Sequence, residues 1–220
     1  MLQPSTLKFL KDLKKNNNKP WFEKNKSVYL DAKTDVDNFV GQVIEKLGKT
    51  DPGIANLKPQ DSTYRIYRDV RFSPDKTPYK VHMGAYLNKG GKKTPTAGYY
   101  MHFQPGSVMA GGGLWMPMAP DLNKVRQEID YSFKEWTGIL GGRAFKKFFP
   151  KGLSKEDMLT RPPKGYDEGN PAIEYLKLKS FIVMKDFDDK EALSGSFLKD
   201  LVKTFETMKP FIDFLNRAME

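Results

Sequence analysis

The sequence predicts an α+β fold in which a mostly antiparallel sheet of about five strands packs against long N- and C-terminal helices. Two periodicities lead to this expectation. Apolar residues recur at helical spacing before and after the middle of the chain, whereas side chains in the middle alternate in and out with period two, as at Tyr99, Met101 and Phe103. Short links between successive strands favour an antiparallel meander.

The N-terminal part of the chain is predicted to form two helices. Thr6, Phe9, Leu10 and Leu13 share one face of the first. After three asparagines, Pro20 is suited to the first turn of a second helix, because proline lacks an N–H that the first turn would leave unpaired. This long helix is expected to run from Trp21 to a stop near Gly48.

Five strands are expected in the sheet. They are residues 64–67, 81–87, 99–104, 108–115 and 181–184. Between the fourth and fifth strands, and after the fifth, apolar spacing becomes helical again, and Pro210 is expected to start or kink a last helix. No repeat or long linker divides the chain, so residues 1–220 are predicted to form a single domain.

Composition limits the classes of function. The chain has no cysteine, which excludes disulfides, thiolate metal sites and a cysteine nucleophile. Neither a signal peptide nor an apolar run of membrane-spanning length is visible, so we expect a cytoplasmic protein that does not enter the membrane. The net charge of +10 favours anionic partners in general.

The segment from Arg65 to Lys80 carries the densest polar chemistry. Guanidinium groups donate paired, coplanar hydrogen bonds that suit phosphate, sulfate or carboxylate. One interpretation is therefore an anion-binding pocket, and the alternative is a structural ion-pair network around the Ser73-Pro74 turn. The candidate anion-binding residues are Arg65, Arg68, Arg71 and Lys76, supported by Asp69, Tyr79, Lys80 and Asn25. Asn25 is included because it lies on the apolar side of the second helix, where an amide must find partners.

The same segment carries a resemblance to a known family. The pattern Arg65-x-x-Arg68-Asp69-x-Arg71-Phe72, followed by Asp75-Lys76 and Tyr79-Lys80, resembles the hallmark of a bacterial domain-of-unknown-function family, DUF2461. Further agreeing segments are residues 16–17, 21–29, 111–117, 163–166 and 175–181. The resemblance covers nearly the whole chain, and it implies no catalytic role for any residue, so the catalytic residues and any cofactor stay unknown.

Two other features suggest chemistry less strongly. Gly111-Gly112-Gly113 lies in a predicted strand, where glycine indicates a bulge, room for a large neighbour such as Trp115, or close approach of a ligand. His82 and His102 lie on two strands that we expect to form a hairpin, which would bring them face to face. No motif with metal-ligand spacing accompanies them, and no metal site is assigned.

The leading hypothesis is that the protein binds an anionic, phosphate-bearing small molecule. An extension of this hypothesis is that the protein also turns the molecule over. One alternative is a nucleic-acid-binding module that uses the basic surface, with Tyr67, Tyr79, Tyr99 or Tyr100 as stacking platforms. Another is a protein–protein adaptor with an exposed apolar patch. The sequence leaves these open, together with the oligomeric state.

Overall fold

A computed structural model describes all residues, 1–220. It contains ten helices, one 3-10 turn and four strands. In chain order these are α1 Pro4–Lys15, α2 Lys19–Lys24, α3 Lys26–Leu47, the turn η1 Pro52–Ile54, α4 Pro59–Ser62, β1 Met83–Asn88, β2 Gly98–Phe103, β3 Val108–Leu114, α5 Ala119–Tyr131, α6 Phe133–Gly141, α7 Arg143–Phe148, α8 Ile173–Leu176, β4 Phe181–Phe187, α9 Asp189–Ala192 and α10 Phe197–Met219.

The strands form one antiparallel sheet in the order β1-β2-β3-β4, which confirms the predicted α+β class and meander. The strand count is four, so the prediction of five was wrong. The expected first strand, residues 64–67, is flanked by isolated bridges only, from Thr63 to Ala85 and from Tyr67 to Tyr79. Beyond Tyr67 the pairing stops because Pro78, which lies opposite Arg68, has no N–H to donate.

The second predicted helix is divided in two at Asn25, which ends α2 and begins α3. The backbone of Asn25 is not helical, and the Asn25 side-chain amide donates to the carbonyl of Trp21 at 2.8 Å. Asn18 caps α2 by accepting from the Trp21 N–H at 3.0 Å. A side chain that bonds to its own backbone competes with the helix, so an asparagine is a natural break point.

The hydrophobic core lies between the sheet and the two longest helices, α3 and α10. Tyr99 on β2 packs against Phe205 on α10 with ring centroids 5.2 Å apart. Phe39 on α3 stacks on Phe197 at 5.3 Å and meets Phe103 edge to face at 5.7 Å. Each of these buried rings contributes about 1.5–3 kcal/mol through removal of apolar surface from water. The core is continuous from the first helix to the last.

Two findings concern the length and character of the helices. α10 continues through Pro210 instead of starting there. None of the helices combines the length and the apolar character needed to cross a bilayer.

Candidate anion-binding surface

The arginine segment folds back on itself as a closed loop. Arg68 donates its N–H to the carbonyl of Pro78 at 2.9 Å, and Lys80 donates to that of Ile66 at 2.7 Å. Residues 68–77, here called the arginine loop, lie beyond these contacts. Strand alternation therefore ends at Arg68, and the loop's own hydrogen bonds decide where its side chains point.

Arg68 is directed into this loop. Its guanidinium pairs with the Asp75 carboxylate and the Thr77 hydroxyl, and it reaches the Ser73 hydroxyl at 3.3 Å. The Thr77 N–H donates to Asp75 at 2.9 Å. Hydrogen bonds from the Thr77 backbone and then from Arg68 lower the pKa of Asp75 to about 2. Arg68 thus holds the turn that closes the loop.

Arg71 and Lys76 are also engaged locally. Arg71 forms a two-pronged pair with Asp69, Nε to Oδ1 at 3.0 Å and Nη2 to Oδ2 at 2.7 Å, and this pair lowers the pKa of the Asp69 carboxyl. Lys76 donates to the carbonyl of Val70 at 3.0 Å. Of the four candidate anion-binding residues, only Arg65 makes no hydrogen bond or ion pair.

The loop is anchored to the N-terminal helices by Asn17, not by Asn25. The Asn17 amide donates to the Tyr79 carbonyl at 2.9 Å and accepts from the Tyr79 N–H at 3.1 Å. The Tyr79 ring is buried and stacks on Phe22 with centroids 4.0 Å apart. Sequence reasoning noted Asn17 within the family pattern and gave it no role, since its partner lies 62 residues away.

The sheet has a face that the helices leave uncovered. Tyr99 and Gly112 meet α10, so the alternate residues Tyr86, Tyr100 and His102 lie on the opposite side, here called the open face. Glycines give these rings room. A Cβ atom on Gly84 would lie 2.9 Å from the Tyr100 hydroxyl.

Lys80 and Lys92 lie beside Tyr64 at the edge of the open face, and Arg65 is close enough for its charge to act on Lys80 and on Asp69. These three residues are here called the cation cluster. The Nζ atoms of Lys80 and Lys92 lie 5.5 and 5.4 Å from the centre of the Tyr64 ring. Burial, followed by the positive charges of Arg65 and Lys92, lowers the pKa of the Lys80 ammonium. Positive charge is therefore held together here under partial desolvation.

Acidic groups balance this cluster only in part. Lys92 lies near Asp61 and Asp37 and donates to the Thr63 carbonyl. Asp37 is itself engaged by Lys33. The Lys80 ammonium makes no hydrogen bond and no ion pair, which leaves its three donors free for a ligand.

His82 and His102 stack next to the cluster, with ring centroids 4.3 Å apart. Burial, then the charges of His102 and Lys80, lowers the pKa of His82 to about 4. Burial also lowers the pKa of His102, whose Nδ1 lies 3.0 Å from the Tyr100 hydroxyl. Both imidazoles are therefore neutral near pH 7. The β1–β2 register pairs His102 with Gly84, so the two histidines meet diagonally.

No group of three or more histidine, aspartate or glutamate side chains is arranged to hold a metal ion.

The glycine run at residues 111–113 serves packing. A Cβ on Gly112 would lie 2.2 Å from the Met208 sulfur, and one on Gly113 would lie 1.9 Å from the Phe181 carbonyl oxygen. The large neighbour is thus Met208, not Trp115, which is 74% exposed.

The four tyrosines proposed as stacking platforms for nucleic-acid bases differ in their exposure. Tyr79 and Tyr99 are buried in the core, so neither offers a free face. Tyr67 is exposed and meets Phe22 edge to face. Tyr100 is half-buried on the open face, 6.5 Å from Tyr64.

A family model described as conserved hypothetical protein (DUF2461) matches residues 5–214. The chain belongs to this family. The DUF2461 match spans the whole sheet, the arginine loop and the cation cluster, so the resemblance found in the sequence is confirmed. No curated protein and no solved structure matches the chain.

Proposed function

We propose that this DUF2461 protein binds an anionic, phosphate-bearing small molecule at the edge of the open face, through Arg65, Lys80 and Lys92. The observation that carries the proposal is the proximity of these cations to the buried His102 and the half-buried His82, while the side chains of Arg65 and Lys80 make no hydrogen bond or ion pair. An anion between them relieves repulsion and gains charge-assisted hydrogen bonds.

The proposal divides the original candidates into two groups. Arg68, Arg71 and Lys76 shape the arginine loop, because their donors already have partners within it. Arg65 and Lys80 have free donors. The guanidinium of Arg65 suits two phosphate oxygens at once, whereas the ammonium of Lys80 supplies a compact charge whose partial burial strengthens its attraction.

His82 fits a supporting role at the same site. Its neutral ring can donate one N–H to a phosphate oxygen, and a bound anion would also favour its protonated form. The ring lies next to Lys80 and against His102. Binding of a phosphate dianion is therefore expected to be coupled to proton uptake.

The test is calorimetric titration with inorganic phosphate, ribose 5-phosphate and adenosine monophosphate, followed in parallel by ³¹P NMR to detect release of phosphate. Lys80→Met should weaken binding by about 10- to 100-fold, as expected for loss of a charged hydrogen bond. Lys76→Met is the matched control, since it removes the same charge from the neighbouring loop. It should change the affinity by less than about twofold.

Two outcomes would count against the proposal. Equal weakening by Lys80→Met and Lys76→Met would show a diffuse charge effect. Failure of all three phosphates, with tight and strongly salt-dependent binding of a single-stranded oligonucleotide, would replace the small-molecule function with nucleic-acid binding.

A further inference from the structure

A separate cavity of about 170 Å³ lies where the C-terminal helix meets the sheet. Its walls come from the turn η1, from the adjoining ends of β1 and β2, and from the last turns of α10. None of the residues of the cation cluster lines it. It is therefore a second location, independent of the proposed phosphate site.

The cavity walls are fixed by hydrogen bonds between distant parts of the chain. The Asn216 amide accepts from the Ala97 N–H at 2.8 Å and donates to the Ala97 carbonyl at 3.2 Å. The hydroxyl of the buried Tyr99 donates to Asp51 Oδ2 at 2.7 Å. Such contacts hold the lining in one arrangement before any ligand arrives, which reduces the ordering cost of binding.

The Asp51 carboxylate is the acidic group of the wall that has no cationic partner. Both Asp51 oxygens receive neutral donors, the Tyr99 hydroxyl and the Gly53 N–H, and no cation pairs with this carboxylate. Asn88 is 1% exposed, and its Oδ1 accepts no hydrogen bond, while its Nδ2 donates to Thr96. A buried acceptor without a donor is rare in folded proteins.

The other charged side chains of the wall are already paired, and the exposed Lys89 pairs with Glu220 at 3.7 Å. Arg217 holds Glu128 and Glu135 on the outer side. Asp213 pairs with Lys209 one turn earlier in α10. The local balance at the unpaired groups is therefore negative, in a chain whose net charge is +10.

We infer that this cavity binds a small aliphatic amine. The ammonium group, which carries three donors and no acceptor, complements the Asp51 carboxylate, which has no cationic partner. Ile54 and Ile212 line the remaining surface and suit a short hydrocarbon chain. The volume limits the ligand to roughly the size of a free amino acid or a short diamine.

The inference is tested on the full chain with butylamine, ethanolamine and putrescine, and with butanol as the neutral counterpart. In ¹H–¹⁵N spectra, an amine should shift the amide signals of Gly53, Asn88 and Ala97 in a saturable manner, and butanol should not. Asp51→Asn should weaken amine binding at least about 10-fold. Asp186→Asn removes an exposed carboxylate from β4 and should change it by less than about twofold.

Several results would overturn the inference. Amine-induced shifts spread over exposed acidic residues, with none at the cavity, would indicate non-specific attraction. Equal affinity for butylamine and butanol would remove the role of the charge. If Asp51→Asn does not fold, the wild-type spectra still decide, because they locate the amine without any substitution.

Discussion

Asn17→Ala should destabilise the protein more than any neighbouring asparagine substitution does. The Asn17 amide satisfies both the N–H and the carbonyl of Tyr79, at 3.1 and 2.9 Å, and Tyr79 is 3% exposed. Removing both partners leaves two buried backbone groups unpaired, each costing about 1–3 kcal/mol, although water entering the gap recovers a part. We expect a loss of about 3 kcal/mol, or a drop in Tm of about 6–12 °C.

Urea denaturation gives the free energy of unfolding, and amide hydrogen exchange gives the local effect. Asn18→Ala is the matched control, because it removes a helix cap on an exposed side chain and should cost only about 1 kcal/mol. In Asn17→Ala, the Tyr79 and Lys80 amides should exchange faster than the core of the sheet. A loss no larger than that of Asn18→Ala, with unchanged exchange at Tyr79, would refute the anchoring role.

Three further predictions concern the loop, the sheet and the histidine pair. Asp69→Asn should leave the urea midpoint nearly unchanged, since the pair with Arg71 is exposed; a large shift would show that the pair is structural. Gly113→Ala should cost more than about 3 kcal/mol in urea unfolding, because φ is +126° and the new Cβ would meet the Phe181 carbonyl; near-wild-type stability would contradict this. The pKa of His82 is about 4 in the folded protein and 6.5 in the unfolded chain, so the unfolded chain takes up the proton first as the pH falls. Stability should therefore be full above pH 6.5 and fall towards pH 4 by about 1–2 kcal/mol after allowance for solvent screening, a fall that His82→Gln should reduce.

The sequence was sufficient for most of the fold because hydrophobic periodicity is a local signal. It located the strands of the meander to within two residues at their starts. It predicted helices where α3 and α10 lie, although it joined α2 to α3 and expected Pro210 to start or kink a last helix. It overestimated the strand count, since residues 64–67 have strand-like alternation and pair with the chain at isolated points only. Strand pairing depends on the partner segment, and here Pro78 opposite Arg68 ends the pairing beyond Tyr67.

The candidate site was harder to predict because it depends on which charges find partners within the loop. For Arg68 and Arg71 the sequence allowed both an anion site and a structural ion-pair network. In the structure Asp75 and Asp69 occupy their donors. Lys92 lies in the β1–β2 connection, and only the folded hairpin brings it to Tyr64. Nothing in the sequence spacing joins it to Lys80.

The pKa of His82, followed by NMR with and without inorganic phosphate, tests the central claim most directly. An anion held by Arg65, Lys80 and Lys92 would lie next to this imidazole and favour its protonated form, so the account predicts a rise from about 4 on phosphate binding. Lys80→Met should abolish the rise. An unchanged pKa at saturating phosphate, with the largest amide shifts at Arg71, would contradict the account.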